Sequence, residues 1–224
     1  MNDFLLTIPR RLHSSIHTFC SDMWDGYLGA ITGFLTAHPE IEAKVVIDRF
    51  HVAQNYRADF DKLRKQELRR LRQELPETIY KEVCHGMHWL LRHNYAHLDD
   101  DDKVRLRRLF HYAPRLHQAY TLREELTAIF NMALSLTQGR RRLETWAAKV
   151  KRSALTCFDK FLKTLHNHLD EIANYFDKRA SSGFVEGVNN KLKTITRRSY
   201  GLKRVDSLFR RLWLDLNGYQ HFVA

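Results

Sequence analysis

Beyond Asp48 the sequence contains no further strand signal, and every apolar pattern from Val52 to about Lys178 has helical spacing. Tyr56, Phe60, Leu63, Leu71 and Leu75 share one helical face, which Pro76 stops. Glu77 to Leu91 predicts a second helix. The acids Asp99 to Asp102 open another, holding Val104, Leu106, Leu109 and Phe110, with negative charge at its positive end. A metal cage is a poor reading of that run, because consecutive residues on a helix point in different directions. Pro114 begins a helix through Leu116, Tyr120, Leu126, Ile129 and Phe130 to Gly139. Leu143, Trp146, Val150, Ala154, Phe158, Phe161, Leu165, Leu169 and Ile172 then keep step, predicting one long helix with a bundle seam. A block of this length without strands restricts the chain to a small sheet joined to a large helical body.

The strand signals come first. Residues 1–15 predict an irregular lead. Ile16 to Cys20 is short, β-branched and aromatic, and predicts a strand. Ser21 is placed to cap a helix running to about Leu35, with Trp24, Tyr27, Leu28 and Ile31 on one face, and Pro39 closes the turn. Ala43 to Ile47 is a continuous apolar run bounded by charge, as in a buried parallel strand. It ends at Asp48-Arg49-Phe50-His51. Strand, acid, helix, strand, acid is an α/β crossover, with Asp22 and Asp48 at the carboxyl ends of the strands, where open α/β sheets place their sites. Read alone, Asp22 is a capping acid and His51 a core histidine.

Near the C-terminal end, Ser181 to Arg204 reads SSGFVEGVNNKLKTITRRSYGLKR. Ser182 or Gly183 can cap a helix with Glu186 in its first turn. Glu186, Asn190, Lys193 and Arg197 fall on one face, while Val185, Val188, Leu192 and Ile195 lie on the other and can pack. A lone carboxylate above a basic stripe suits a metal held beside a phosphodiester. It equally suits a capping-box acid above solvated cations.

Charge narrows the partner. Lys plus Arg number 37 against 26 Asp plus Glu, a formal net charge of +11. That balance favours a polyanion, with nucleic acid first. The three cysteines, Cys20, Cys84 and Cys157, have no paired spacing and predict free thiols in a reducing cytoplasm. No apolar run reaches membrane-spanning length, so no membrane partner is expected. Cys84 with His85 and His88, His111 with His117, and His166 with His168 invite a zinc reading, but none has standard four-ligand spacing.

Gly183 to Lys193 followed by Arg197-Arg198-Ser199-Tyr200-Gly201 resembles the third acidic block of the ISL3 family of insertion-sequence transposases, DDE enzymes with an RNase H-like core. Cys20-Ser21-Asp22-Met23-Trp24 resembles the second acidic block, and Asp48-Arg49-Phe50-His51 its Asp-x-x-His signature. The Trp146 helix and Trp89-Leu90-Leu91 also look like the family. The resemblance implies a partial RNase H-like core, residues 1–52 and 179–224, interrupted by an all-α insertion over 53–178. It implies Asp22 and Glu186 as catalytic ligands of Mg²⁺ or Mn²⁺, supported by Asp48 and His51. Asn190, Lys191, Lys193, Arg197, Arg198, Lys203 and Arg204 would contact double-stranded DNA, both transposon ends and target. The family's first Asp lies on an earlier strand, and only 21 residues precede Asp22. The resemblance is therefore to the C-terminal part of a member, read as a truncated copy. It predicts no DNA cleavage by this chain alone and self-association through an unpaired sheet edge. The alternative is a non-catalytic basic helical protein that binds DNA.

Overall fold

The computed structural model describes residues 1–199 and 204–222, without the side chains of Tyr219, His221 and Phe222. The chain forms two compact units, residues 1–180 and 181–224.

The first unit opens with helix α1 (Asn2–Leu6) and a 3₁₀ turn (Arg10–Ser15), where an irregular lead was expected. Strand β1 (Thr18–Ser21), helix α2 (Asp25–Ala37) and strand β2 (Lys44–Ile47) form the predicted crossover. The strands are parallel, pairing Thr18 with Lys44 through Ser21 with Ile47. Among the described residues these are the only strands. Leu5, Ile31, Phe34 and Ile41 make a small core beside the sheet.

Helix α3 (Arg49–Glu74) runs on from β2, crossing the 52/53 boundary without a break. Pro76 ends it as expected. The anticipated helix over Glu77 to Leu91 is two, α4 (Glu77–Cys84) and α5 (Met87–Leu90), separated at Gly86 with φ 75°. Only glycine adopts that angle without strain. Helix α6 (Asp100–Tyr112) starts where the acids predict, and the Asp99 carboxylate accepts from the Asp102 amide at 2.8 Å. Helix α7 (Pro114–Asn131) stops short of Gly139. A new helix, α8 (Leu136–Arg152), begins with a capping box between Ser135 and Gln138.

The expected continuous helix to Ile172 does not form. Ala154 takes φ 55°, and a 3₁₀ turn (Thr156–Phe158) leads into α9 (Asp159–Asn167), α10 (Leu169–Ala173) and α11 (Tyr175–Lys178). The apolar register survives because each piece presents its stripe to the same core. Tyr56 stacks on Phe158 at 4.5 Å, Trp146 meets Phe161 edge-on, and both polar handles are satisfied. The Tyr56 hydroxyl donates to the Ala119 carbonyl and the Trp146 indole N–H to that of Leu122, each at 2.8 Å. Val46 and Ile47 of β2 belong to this same core, which joins the sheet to the helical body.

The second unit holds α12 (Gly183–Arg198) and α13 (Val205–Phe222). No described helix is long and apolar enough to cross a membrane.

Candidate functional site

β1 and β2 end at the same edge of the sheet. Their last partners are Ser21 and Ile47, so Asp22 and Asp48 leave side by side, and the Asp48 amide donates to the Ser21 carbonyl at 3.4 Å. The half-buried Asp22 carboxylate accepts from the Trp24 amide at 3.1 Å, a tight side-chain turn out of the strand. Ser21 does not cap α2 as expected. It is buried, its hydroxyl lacks a hydrogen-bond partner, and Trp24 occupies the cap position without a side-chain bond. Asp48 is 4% exposed and caps α3, accepting from the Phe50 amide at 3.0 Å. That bond commits part of its carboxylate to holding the helix. His51 is half-buried, with its ring edge-on to Phe50 at 5.5 Å. It is not a fully buried core histidine.

In the second unit, Glu186 is half-buried in the first turn of α12, one residue past the position a capping-box acid takes. Its carboxylate accepts from the Ser182 hydroxyl at 2.8 Å. That contact fixes the side chain at the positive end of the helix. Asn190, Lys193, Arg197 and Arg198 are exposed beyond it, as is Arg204. Among the described residues the four cations of this set form no ion pair. Lys191 differs, since its ammonium donates to the Asp215 carbonyl of α13 at 3.0 Å. Lys203 lies outside the described residues. On the opposite face Ile195 is buried and Val188 and Leu192 are half-buried, as the spacing predicts. Val185 is exposed, against that prediction, and Phe184 beside it is 82% exposed. At the head of α12 these two apolar side chains are therefore exposed.

One cluster had no signal in the spacing. His13, His38 and Glu40 converge on the first unit, each offering a metal-ligating atom within 4.8 Å of the others. None of the histidine groupings weighed from sequence does this among the described residues. His13 and Glu40 are 27 positions apart, and only the close approach of two turns joins them.

Each unit by itself offers oxygen donors: strand-end acids in the first, and in the second a held carboxylate at the head of a helix that carries exposed cations. Residues 1–212 match the family model for DDE transposases of the ISL3 type, described as a transposase. The chain belongs to this family. It is similar to the transposase for insertion sequence element IS1001 of Bordetella parapertussis, 28% identical over 172 residues, which cover 76% of this chain and 41% of that protein. It is also similar to the transposase for insertion sequence element IS1557 of Mycobacterium tuberculosis, 25% identical over 135 residues, covering 60% of this chain and 30% of that protein. The chain thus spans less than half the length of these curated relatives. No solved structure matches it.

Proposed function

We propose that this chain supplies two of the three metal-binding carboxylates of a DDE transposase, Asp22 and Glu186, together with a basic helix that positions DNA. In this reading β1, α2 and β2 with α12 and α13 belong to an RNase H-like core, and residues 53–178 are its all-α insertion. The observation that carries it is the placing of Asp22 at the carboxyl edge of a parallel strand pair, in a stretch that resembles the family's second acidic block.

The donors fit a hard divalent cation, since carboxylate oxygens suit Mg²⁺ or Mn²⁺. When bound, such ions activate the attacking oxygen and stabilise the leaving one during in-line displacement at a phosphodiester. Asp22 is oriented by the Trp24 amide in the turn after β1, and Glu186 by the Ser182 hydroxyl in the first turn of α12. Asp48 and His51 support the same edge. Lys193, Arg197, Arg198 and Arg204 contact phosphates, with Asn190, Lys191 and Lys203 beside them. Such contacts contribute affinity and register but little sequence preference. The partners are duplex DNA, both element ends and target, and a second copy of the chain.

Two measurements test this. Mn²⁺ titration followed by water-proton relaxation is expected to show binding that Asp22→Asn and Glu186→Gln each weaken by about tenfold or more, with unfolding temperatures unchanged. Unaltered Mn²⁺ binding in both variants refutes the assignment. Duplex affinity is expected to fall with salt at a log–log slope near −3 to −4, from about −0.9 for each of four phosphate contacts. Arg197→Ala with Arg198→Ala should flatten that slope by about 2.

A further inference from the structure

The acids lie at the carboxyl edge of the sheet; the His13, His38 and Glu40 cluster lies at the other. His38 ends α2, Glu40 sits in the turn before β2, and His13 comes from the 3₁₀ turn before β1. Both imidazoles direct Nδ1 at the same carboxylate oxygen, Glu40 Oε1, at 2.9 Å from His13 and 3.2 Å from His38. The two rings are 4.9 Å apart between centroids and nearly perpendicular. His13 is 4% exposed and its Nε2 has no hydrogen-bond partner. That nitrogen is unpartnered whichever tautomer the ring adopts. With the proton on Nδ1, the Nε2 lone pair is buried without a donor; with the proton on Nε2, that N–H is buried without an acceptor.

We propose that His13, His38 and Glu40 form a structural zinc site. Two imidazole nitrogens and one carboxylate oxygen are a borderline donor set that suits Zn²⁺ far better than Mg²⁺. Tetrahedral zinc with bonds near 2.0–2.1 Å spaces its ligand atoms about 3.3 Å apart. The contacts at 2.9 and 3.2 Å are close to that spacing, and all three ligand atoms lie within 4.8 Å of one another. The Glu40 side chain is 54% exposed, which leaves solvent access for water as a fourth ligand. Zinc on the two Nδ1 atoms and Glu40 Oε1 would replace the hydrogen bonds among them and leave His13 Nε2 as it is.

Its role follows from what it joins. The lead before β1 rests on a core of four buried side chains, Leu5, Ile31, Phe34 and Ile41. A metal bridging the 3₁₀ turn to the α2–β2 turn would clamp that lead to the sheet. Binding to the folded state alone stabilises it by mass action. This site is independent of the transposase reading.

The test uses the whole chain, stripped with chelator and titrated with ZnCl₂ by calorimetry and thermal unfolding. Wild type is expected to bind one equivalent tightly, with a rise in unfolding temperature that an equal concentration of MgCl₂ does not reproduce. His38→Ala and Glu40→Ala should each weaken that equivalent by about tenfold or more. Glu40 is exposed, so its variant keeps the inference testable if a histidine variant fails to fold. Asp22→Asn with Glu186→Gln should bind zinc as wild type does. Zinc binding that Glu40→Ala leaves intact, or a wild-type chain that takes up no tight equivalent, overturns the proposal.

Discussion

Replacing Gly139 by alanine tests the packing of the helical body. Gly139 lies in the first turn of α8, directly beneath the ring of Phe176. An added Cβ would stand 2.6 Å from Phe176 Cε2 and closer still to Cγ and Cδ2. The ring has little room to move. It is 4% exposed, stacks on Phe130 at 5.5 Å with 7° between planes, and meets Tyr175 edge-on. Overpacking of this kind costs about 1–3 kcal/mol. Alanine recovers up to about 1 kcal/mol of helix propensity over glycine. The net is a destabilisation of about 1–2 kcal/mol, or a melting temperature lower by roughly 2–8 °C for a unit of this size. Gly139→Ala should therefore melt early by calorimetry, and adding Phe176→Leu should recover part of the loss. A melting temperature equal to or above wild type for Gly139→Ala would refute the argument, because propensity would then be the only term acting.

Ser135→Ala removes one half of the capping box on α8, and urea unfolding should report a loss of about 1 kcal/mol. Burial pushes the thiols of Cys84 and Cys157 up to about 11, so at pH 8 no more than one of the three cysteines should react quickly with a disulfide reagent, and all three after unfolding. The hydrogen bond from His13, then Glu40's own backbone N–H, holds the Glu40 carboxyl down to about 2 from its ordinary 4.5. A depressed acid contributes stability that is fully present above about pH 4.5 and is lost as pH falls towards 2. Acid unfolding should thus be less steep in that window for Glu40→Gln than for wild type. Asn174→Ala removes the amide that donates to the Val45 carbonyl at 2.8 Å, and should speed hydrogen exchange in β1 and β2 while leaving α7 and α8 unchanged.

The crossover was legible because each strand announced itself. Val45, Val46 and Ile47 form a run too short for a helix, and an acid follows each strand at the same edge. Helical breaks were less legible. Ala154, Phe158 and Phe161 keep helical spacing across the bend at Ala154, since every segment faces one core. Periodicity records which side is buried, and here that side stays constant while the axis turns. Gly86 carried a signal, but an isolated glycine inside a helical pattern is often tolerated. Ser21 was misleading for a different reason. Its position before a helical pattern fits a cap, yet β1 continues through it and leaves Asp22 to make the turn. The zinc cluster joins residues from two turns, and no spacing rule reaches across them.

The arrangement of the sheet edges connects fold to chemistry. Two strands alone would expose unpaired backbone on both sides. β2 is relieved of this by the helical body. Asn174 bonds its Val45 carbonyl, Lys44 pairs with Asp177 at 2.8 Å, and Val46 and Ile47 enter the large core. Asp48, on the supported strand, spends part of its carboxylate on capping α3, which anchors that strand to the longest helix of the body. Asp22, on the outer strand, makes a single local turn and is more accessible. Under the proposed function, Asp48 keeps the edge rigid and Asp22 is the acid left for the metal.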